Sequence, residues 1–314
     1  MATNDILTNP AKSRADLEIP PAEDRNFRRL ADEINRPRPD GVSLFRTPSL
    51  MSHAMASTRP ALENHTAGAL QLAPPNPERV WESLIKIALH EAFLAGNGVF
   101  TNSEQNDASA YFDILRTRLL QAMAERGWHR IAVTSPTHGC GKSFVAANLA
   151  FSLARRPSSR NVLVDLELRA PGLERLLGLQ DVGPIEEFLS GEQPLESHFI
   201  RVGKTLALGL NSAPVPHAAE LLQEPSTAHA LSAMVTQLDP QIVVYDAPPL
   251  LVSDDVLALL PQVDAVLLVI DGTRTTAEEV RACEALLEGV CPLMGVVLNR
   301  AQDYSLSRYR YGQK

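Results

Sequence analysis

The stretch Ile131-Ala132-Val133-Thr134-Ser135-Pro136-Thr137-His138-Gly139-Cys140-Gly141-Lys142-Ser143 decides how this chain is read. A short β-branched run feeds a turn with two glycines, and an apolar segment of helical character, Phe144–Leu153, follows. Gly139 and Gly141 let the backbone bend so that its N–H groups converge, and the following helix adds the positive end of its dipole. Lys142 is placed to reach the β- and γ-phosphates of a nucleotide, and the Ser143 hydroxyl to ligate Mg²⁺. Pro136 stands where the pattern G-x-x-x-x-G-K-[ST] has its first glycine. G-K-S alone is a weak signal. Its place between a strand and a helix separates a phosphate loop from a Gly-rich surface turn.

Outward from the loop, strands alternate with helices. Strands are predicted at Ile131–Thr134, Val162–Asp165, Leu206–Leu210, Ile242–Asp246, Ala265–Ile270 and Gly295–Asn299. Helices are predicted at Ile185–Leu189, near Ser226–Leu238, at Val256–Leu259 and at Thr276–Glu288. Several strands are unbroken apolar runs, as expected when both faces are covered, which implies an α/β fold with a mainly parallel sheet. In such sheets ligands bind beyond the carboxyl ends of the strands. Two strands end there in an acid, Asp165 and Asp246, beside the loop. Either alone reads as a cap or turn residue. Together they read as partners of a nucleotide-bound Mg²⁺. Asp271 also ends a strand, but Gly272 follows it, and the pair reads as a turn.

Before the loop, residues 1–75 form a Pro-rich stretch. Ten of the 23 prolines fall within the first 80 residues, and apolar periodicity is poor. Such a stretch buries too little to offset its ordering entropy, and it is expected to be a disordered arm, either a tether or a docking arm, with short transient helices near Phe27–Ile34. Residues 76–107 are expected to be a helical extension. Trp81, Leu84, Ile85, Ala88, Leu89 and Ala92 keep helical spacing, with Gly96 as the stop. A second helix, capped by Asp107 and ending at Gly127, is expected to pack Tyr111, Ile114, Leu115, Leu119 and Ala122 on the core.

Composition narrows the function. Apolar residues make up 45%, ample for a core, and the formal net charge of −8 argues against nucleic-acid binding through a basic surface. The three cysteines form no C-x-x-C pair, no leader is evident, and no apolar run is long enough to span a bilayer. The expected location is cytoplasmic, with a partner holding the chain at the inner face of the membrane. Three of the five tyrosines, Tyr304, Tyr309 and Tyr311, lie in the last 11 residues, alternating with Arg308 and Arg310. This tail, residues 304–314, reads either as a set of phosphoryl acceptors or as a basic contact segment.

Taken together, the residues resemble the bacterial tyrosine kinases of capsule and exopolysaccharide export, from about Ser109 to the end of the chain. Val133–Ser143 is similar to the family's Walker A, which also lacks the first glycine. Asp165-Leu166-Glu167-Leu168-Arg169 stands at its D-x-D-x-R, and Tyr245-Asp246-Ala247-Pro248-Pro249 at its D-x-P-P. Pro214–Leu222 resembles its P-x-P-x-x-x-E-L-L, and Gly295–Arg300 the strand whose asparagine faces adenine. The resemblance implies a three-layer P-loop NTPase domain over 108–303 that binds ATP and Mg²⁺. It implies nucleotide contacts from Thr137, His138, Gly139, Cys140, Gly141, Lys142, Ser143, Phe144, Asn299 and Arg300. Ser143, Asp165 and Asp246 would serve the metal, and Lys142, Asp165, Glu167 and Asp246 the chemistry. Tyr304, Tyr309 and Tyr311 would accept phosphate, with Asp165 orienting or deprotonating the phenol. It also implies a homo-oligomer and a membrane-bound polysaccharide co-polymerase, or chain-length adaptor, as partner. No nucleic acid is expected.

Three departures bear on this. Glu167 replaces the usual Asp. The family's E-x-x-R-x-x-R appears as Ala110, Asp113 and Arg116. Cys140 replaces the common Glu, and it reads either as an oxidisable thiol or as a passive small residue. Two alternatives therefore stand beside a tyrosine autokinase. One is a non-kinase P-loop ATPase. The other is a degenerate nucleotide-binding regulator of the export complex.

Overall fold

The computed structural model describes residues 76–101 and 107–301. The expected arm at 1–75 and the tyrosine tail at 304–314 lie outside the described residues. The elements run α1 (Pro77–Ser83), β1 (Ile85–Ile87), α2 (Glu91–Gly96), α3 (Asp107–Arg126), β2 (Arg130–Thr134), α4 (Lys142–Ala154), β3 (Asn161–Asp165) and α5 (Leu173–Leu177). There follow α6 (Glu186–Leu189), α7 (Leu195–His198), β4 (Ile200–Val202), β5 (Leu206–Gly209), α8 (Ala218–Gln223), α9 (Pro225–Leu238) and β6 (Ile242–Asp246). The last are α10 (Asp255–Leu259) with a 3₁₀ turn at Leu260–Gln262, β7 (Ala265–Asp271), α11 (Ala277–Leu287) and β8 (Leu293–Asn299).

The strands form one eight-stranded sheet in the order β1-β4-β5-β3-β6-β2-β7-β8. Every pairing is parallel except β4 with β5. Asp165 sits opposite Asp246 in the β3–β6 register, and Val133 opposite Asp246 in β2–β6. The loop and both strand-end acids therefore lie together at the carboxyl ends of the central strands. The central strands are buried apart from Arg130 at the start of β2. Helix α4 packs across β2, β3, β5 and β6, and α3 packs on α4. Burial of nearly every α4 side chain from Val145 to Leu153 follows from that sandwich. The expected mainly parallel P-loop NTPase sheet with flanking helices is the one found.

Two local readings are corrected. The single helix expected over Trp81–Ala92 is instead α1, β1 and α2. Asn76 caps α1 with its side chain and Pro77 follows at the first position. Ile85–Ile87 then pairs with Ile200–Val202. Trp81 and Leu84 remain buried, but Ile85 is exposed because it lies on an edge strand. In α3 the buried face is also shifted. Tyr111 and Ile114 are exposed, Leu119 and Met123 are buried, and Phe112 and Leu115 pack against the core. Asp113 directs the shift: its carboxylate pairs with Arg116 and Arg155 and accepts from Ser152 Oγ, which turns that face onto α4.

Candidate functional site

The start of the loop is tied by hydrogen bonds to the segment that follows β6. Thr134 Oγ1 donates to Pro248 O at 2.5 Å, while Ala247 N and Leu250 N donate to Val133 O and Ser135 O. Gly139 and Gly141 adopt left-handed backbone angles, φ +82° and +90°. The second is also sterically required. A Cβ on Gly141 would lie 2.2 Å from Asn299 Nδ2, which itself donates to Cys140 O at 2.9 Å. Asn299 at the end of β8 thus braces the phosphate loop.

Lys142 opens α4 and is buried. Its Nζ lies 2.8 Å from Glu167 Oε2 and 3.5 Å from both Asp246 Oδ1 and Ser143 Oγ. Burial by itself would lower the pKa of this amine, but Asp246, Glu167 and Asp165 together hold it above its ordinary value. The same burial raises Asp246, with Lys142 and Ser143 opposing the rise. Asp165 is pushed up to about 8, first by burial and then by the charge of Asp246. Its oxygens accept from the N–H groups of Glu167, Gly172 and Leu173, so it caps the entry to α5.

Asp246 Oδ2 is buried with no hydrogen-bond partner. An orphaned carboxylate oxygen is costly, and here it faces a cluster of three acids and one lysine. That donor set fits a cation. Among the described residues, however, no group of three or more His, Cys, Asp or Glu side chains is arranged to hold a metal ion. The Ser143 hydroxyl and the unpartnered Asp246 Oδ2 are the groups that could hold such a cation.

A cavity of about 520 Å³ opens over the loop. Of the expected residues, His138, Gly139, Gly141, Lys142, Ser143, Phe144, Glu167 and Arg300 line it, whereas Thr137, Cys140, Asn299, Asp165 and Asp246 do not. The volume suits a nucleotide-sized ligand. Arg300 has φ +55° and pairs with Asp271 Oδ2 at 2.6 Å. Asp271 closes its own turn by accepting from Thr273 N and Oγ1, as its D-G sequence suggests. Those bonds and Arg300 hold its carboxyl down at about 2. Cys140 is buried, with its Sγ 3.8 Å from the hydroxyls of both Thr137 and Thr275, which matches the passive reading.

Sequence reasoning missed several contributors. Arg169 grips Asp255 with two bonds of 2.6 and 2.8 Å and donates to Pro216 O, while Val215 N bonds Leu168 O. These contacts fasten the Pro214–Leu222 segment to the strand end that carries Glu167. Phe93, Asn97 and Arg175 also line the cavity. No local pattern marks them, because each reaches the site through packing of segments distant in sequence.

A family model described as ParA: NUBPL iron-transfer P-loop NTPase matches residues 128–305. The chain belongs to this P-loop NTPase family. Several relatives of this ParA-type chain carry tyrosine-kinase names. It is 33% identical over 205 residues to EpsB of Ralstonia nicotianae, which carries a tyrosine-protein kinase name; the match covers 64% of this chain and 26% of EpsB. It is 28% identical to the tyrosine-protein kinase YwqD of Bacillus subtilis, covering 67% of this chain and 86% of YwqD. The solved kinase domain of Escherichia coli ETK superposes with a TM-score of 0.57 at 26% identity, covering 70% of this chain and 84% of that domain. The chain thus spans about a quarter of EpsB but most of YwqD. Among the described residues, no helix is long and apolar enough to cross a membrane.

Proposed function

We propose that this chain is an ATP-dependent protein-tyrosine autokinase that regulates the polymerisation and export of exopolysaccharide or capsule. The observation that carries the reading is Lys142, buried at the floor of a glycine-bent phosphate loop and shared between Glu167 and Asp246. A lysine parked on two acids can exchange them for phosphate oxygens when nucleotide enters. Gly139 and Gly141 place backbone N–H groups for the phosphates, and Ser143 and Asp246 would hold Mg²⁺. When bound, Mg²⁺ neutralises charge on the phosphate oxygens.

The reaction needs a phenol oxygen in line with the γ-phosphorus. Its lone pair forms the new P–O bond as the bond to the bridging oxygen breaks, and ADP leaves with that electron pair. A phenol of pKa about 10 must give up its proton, and the ionised form of Asp165 is the proposed acceptor; burial favours its protonated form below about pH 8, so the step would speed up as pH rises toward that value. Its oxygens must first be released from the α5 backbone. Tyr304, Tyr309 and Tyr311 are the proposed acceptors, supported by their place a few residues after the cavity-lining Arg300. Delivery from a second copy, recruitment to the inner face of the membrane and a membrane-bound chain-length adaptor complete the proposal.

A second reading, a nucleotide-binding regulator without turnover, is favoured by two observations. The oxygens of Asp165 are committed to backbone N–H groups, and Asp113 pairs internally with Arg116 and Arg155. Phosphopeptide analysis of protein incubated with Mg·ATP separates the two. Phosphate on the tail tyrosines, absent in Lys142→Met and in the Tyr304/Tyr309/Tyr311→Phe variant, is the expected result. ATP binding without phosphotyrosine, even with the membrane partner added, would establish the regulator instead.

A further inference from the structure

The two edges of the sheet are built differently. β1 closes one side with three residues, and Lys86 stands at its centre. Short length and a lysine are common guards of an open edge. β8 closes the other side with seven residues, Leu293-Met294-Gly295-Val296-Val297-Leu298-Asn299, and contains no charge and no proline. Among the described residues no strand lies beyond it. The pairing with β7 directs its backbone. Gly272 N donates to Asn299 O at 2.8 Å, so Asn299 and, by alternation, Val297 turn their backbone groups toward β7. In a parallel ladder the residues between turn theirs the other way, which leaves the N–H and C=O of Val296 and Leu298 on the open edge.

The side chains around this edge are apolar too. Leu298 is 51% exposed, and Val290, in the turn that leads into β8, is 61% exposed. Leu286, near the end of α11, is also exposed. Charge is divided between the two ends of the strand. Glu284 and Glu288 precede it. Arg300, with its side chain half exposed, follows it, and the segment 302–314 adds Arg308, Arg310 and Lys314 against Asp303 alone. An edge with an acidic start and a basic finish complements itself when a second copy is related by a two-fold axis. A parallel arrangement would set like charges together.

We propose that β8 is the docking edge for a second copy of this chain, joined antiparallel about a two-fold axis at Val297. In that register Val296 of one copy lies opposite Leu298 of the other, twice over. The outward residues of both copies then exchange about four backbone hydrogen bonds. The basic finish of each copy lies over the acidic start of the other, and the two sheets continue into one. β1 offers no equivalent site. Joining β8 to β1 would be head-to-tail and would not close, and Lys86 opposes it. The inference goes beyond the kinase reading. It supplies a surface for the second copy which that reading invokes, yet it holds whether or not the chain transfers phosphate.

The test is sedimentation velocity of the full chain over a dilution series reaching about 100 μM, where a monomer–dimer equilibrium is expected. Leu298→Lys sets a lysine opposite Val296 in both halves of the interface. It is expected to weaken the dimer by about tenfold, with the circular dichroism of the wild type retained. Lys86→Glu, on the other edge, is expected to leave the dimer unchanged. Val297→Cys places two thiols across a non-hydrogen-bonded pair on the axis, and mild oxidation with copper phenanthroline in air is expected to link the copies. Monomer at every concentration overturns the proposal, and so does a dimer that Leu298→Lys leaves intact. A monomer whose Val296 and Leu298 amides are protected from hydrogen exchange overturns it by assigning the edge to another segment of the same chain. A dimer that responds to Leu298→Lys, in a protein that shows no phosphotyrosine with Mg·ATP, upholds the docking edge and removes the kinase reading alone.

Discussion

Lys142 and Glu167 form a buried ion pair, Nζ to Oε2 at 2.8 Å, with side-chain exposures of only 10% and 3%. With Asp246 and Asp165 on the same patch, the ligand-free site holds more buried negative charge than the lysine neutralises. Phosphate entry must separate this pair, and the pair sets the resting state of the site.

Removing the lysine tests this balance. Lys142→Met leaves the three carboxylates without their shared cation, and such uncompensated burial typically costs about 3 kcal/mol. The cost is expected in full near pH 8 and to shrink near pH 5, where the raised pKa values of Asp165 and Asp246 let them take up protons. Urea denaturation at both pH values checks it. Equal losses at the two would refute the arrangement.

Asp165 imposes a pH dependence of its own. Its folded pKa, about 8, lies above the unfolded value of about 3.9, so the folded state binds more protons across that window. Stability of the ligand-free protein is therefore expected to fall as pH rises from about 4 to about 8. Asp165→Asn removes the titration and should flatten the slope of melting temperature against pH. An unaltered slope would assign the effect to Asp246.

Gly141→Ala combines two penalties, a strained left-handed φ and a clash with Asn299. We expect a loss of about 2–3 kcal/mol and no measurable ATP binding. Adding Asn299→Ala relieves the clash but not the strain, so the double variant should recover part of the stability. A double-mutant cycle with no coupling would show that Asn299 does not brace the loop.

Asp255 is buried and takes both bonds from Arg169 as well as one from Ser253 Oγ at 3.0 Å. Asp255→Asn halves that grip, at an expected cost of about 1–2 kcal/mol. The readout is local: hydrogen exchange at the Val215 amide, now bonded to Leu168 O, should accelerate. Unchanged protection there would mean that Arg169 does not hold the Pro214–Pro216 segment.

Local signals carried much of the architecture. The central strands are apolar runs with both faces covered, and their pattern predicts them without knowledge of partners. Thr276 and Glu279 form a capping box legible as T-x-x-E, and Gly139 and Gly141 announce the bend that their left-handed angles confirm. The edges of the sheet were not legible. Ile85–Ile87 and Ile200–Val202 are three-residue strands whose existence depends on pairing with each other and with β5. A run that short has no period to read.

The candidate site divides along the same line. By itself the sequence determined the phosphate loop and the strand-end acids Asp165 and Asp246. Strand, turn and helix there are consecutive, and each residue's chemistry follows from its immediate neighbours. Only the tertiary structure decided that Lys142 rests on Glu167, that Asn299 braces Gly141, that Arg169 is spent on Asp255, and that Phe93 enters the cavity from upstream. Those are contacts between segments far apart in the chain, created when β3, β6, β7 and β8 join β2 in one sheet and α2 docks on α5. Their identity depends on which side chains packing brings within a few ångströms, and no spacing along the chain encodes that.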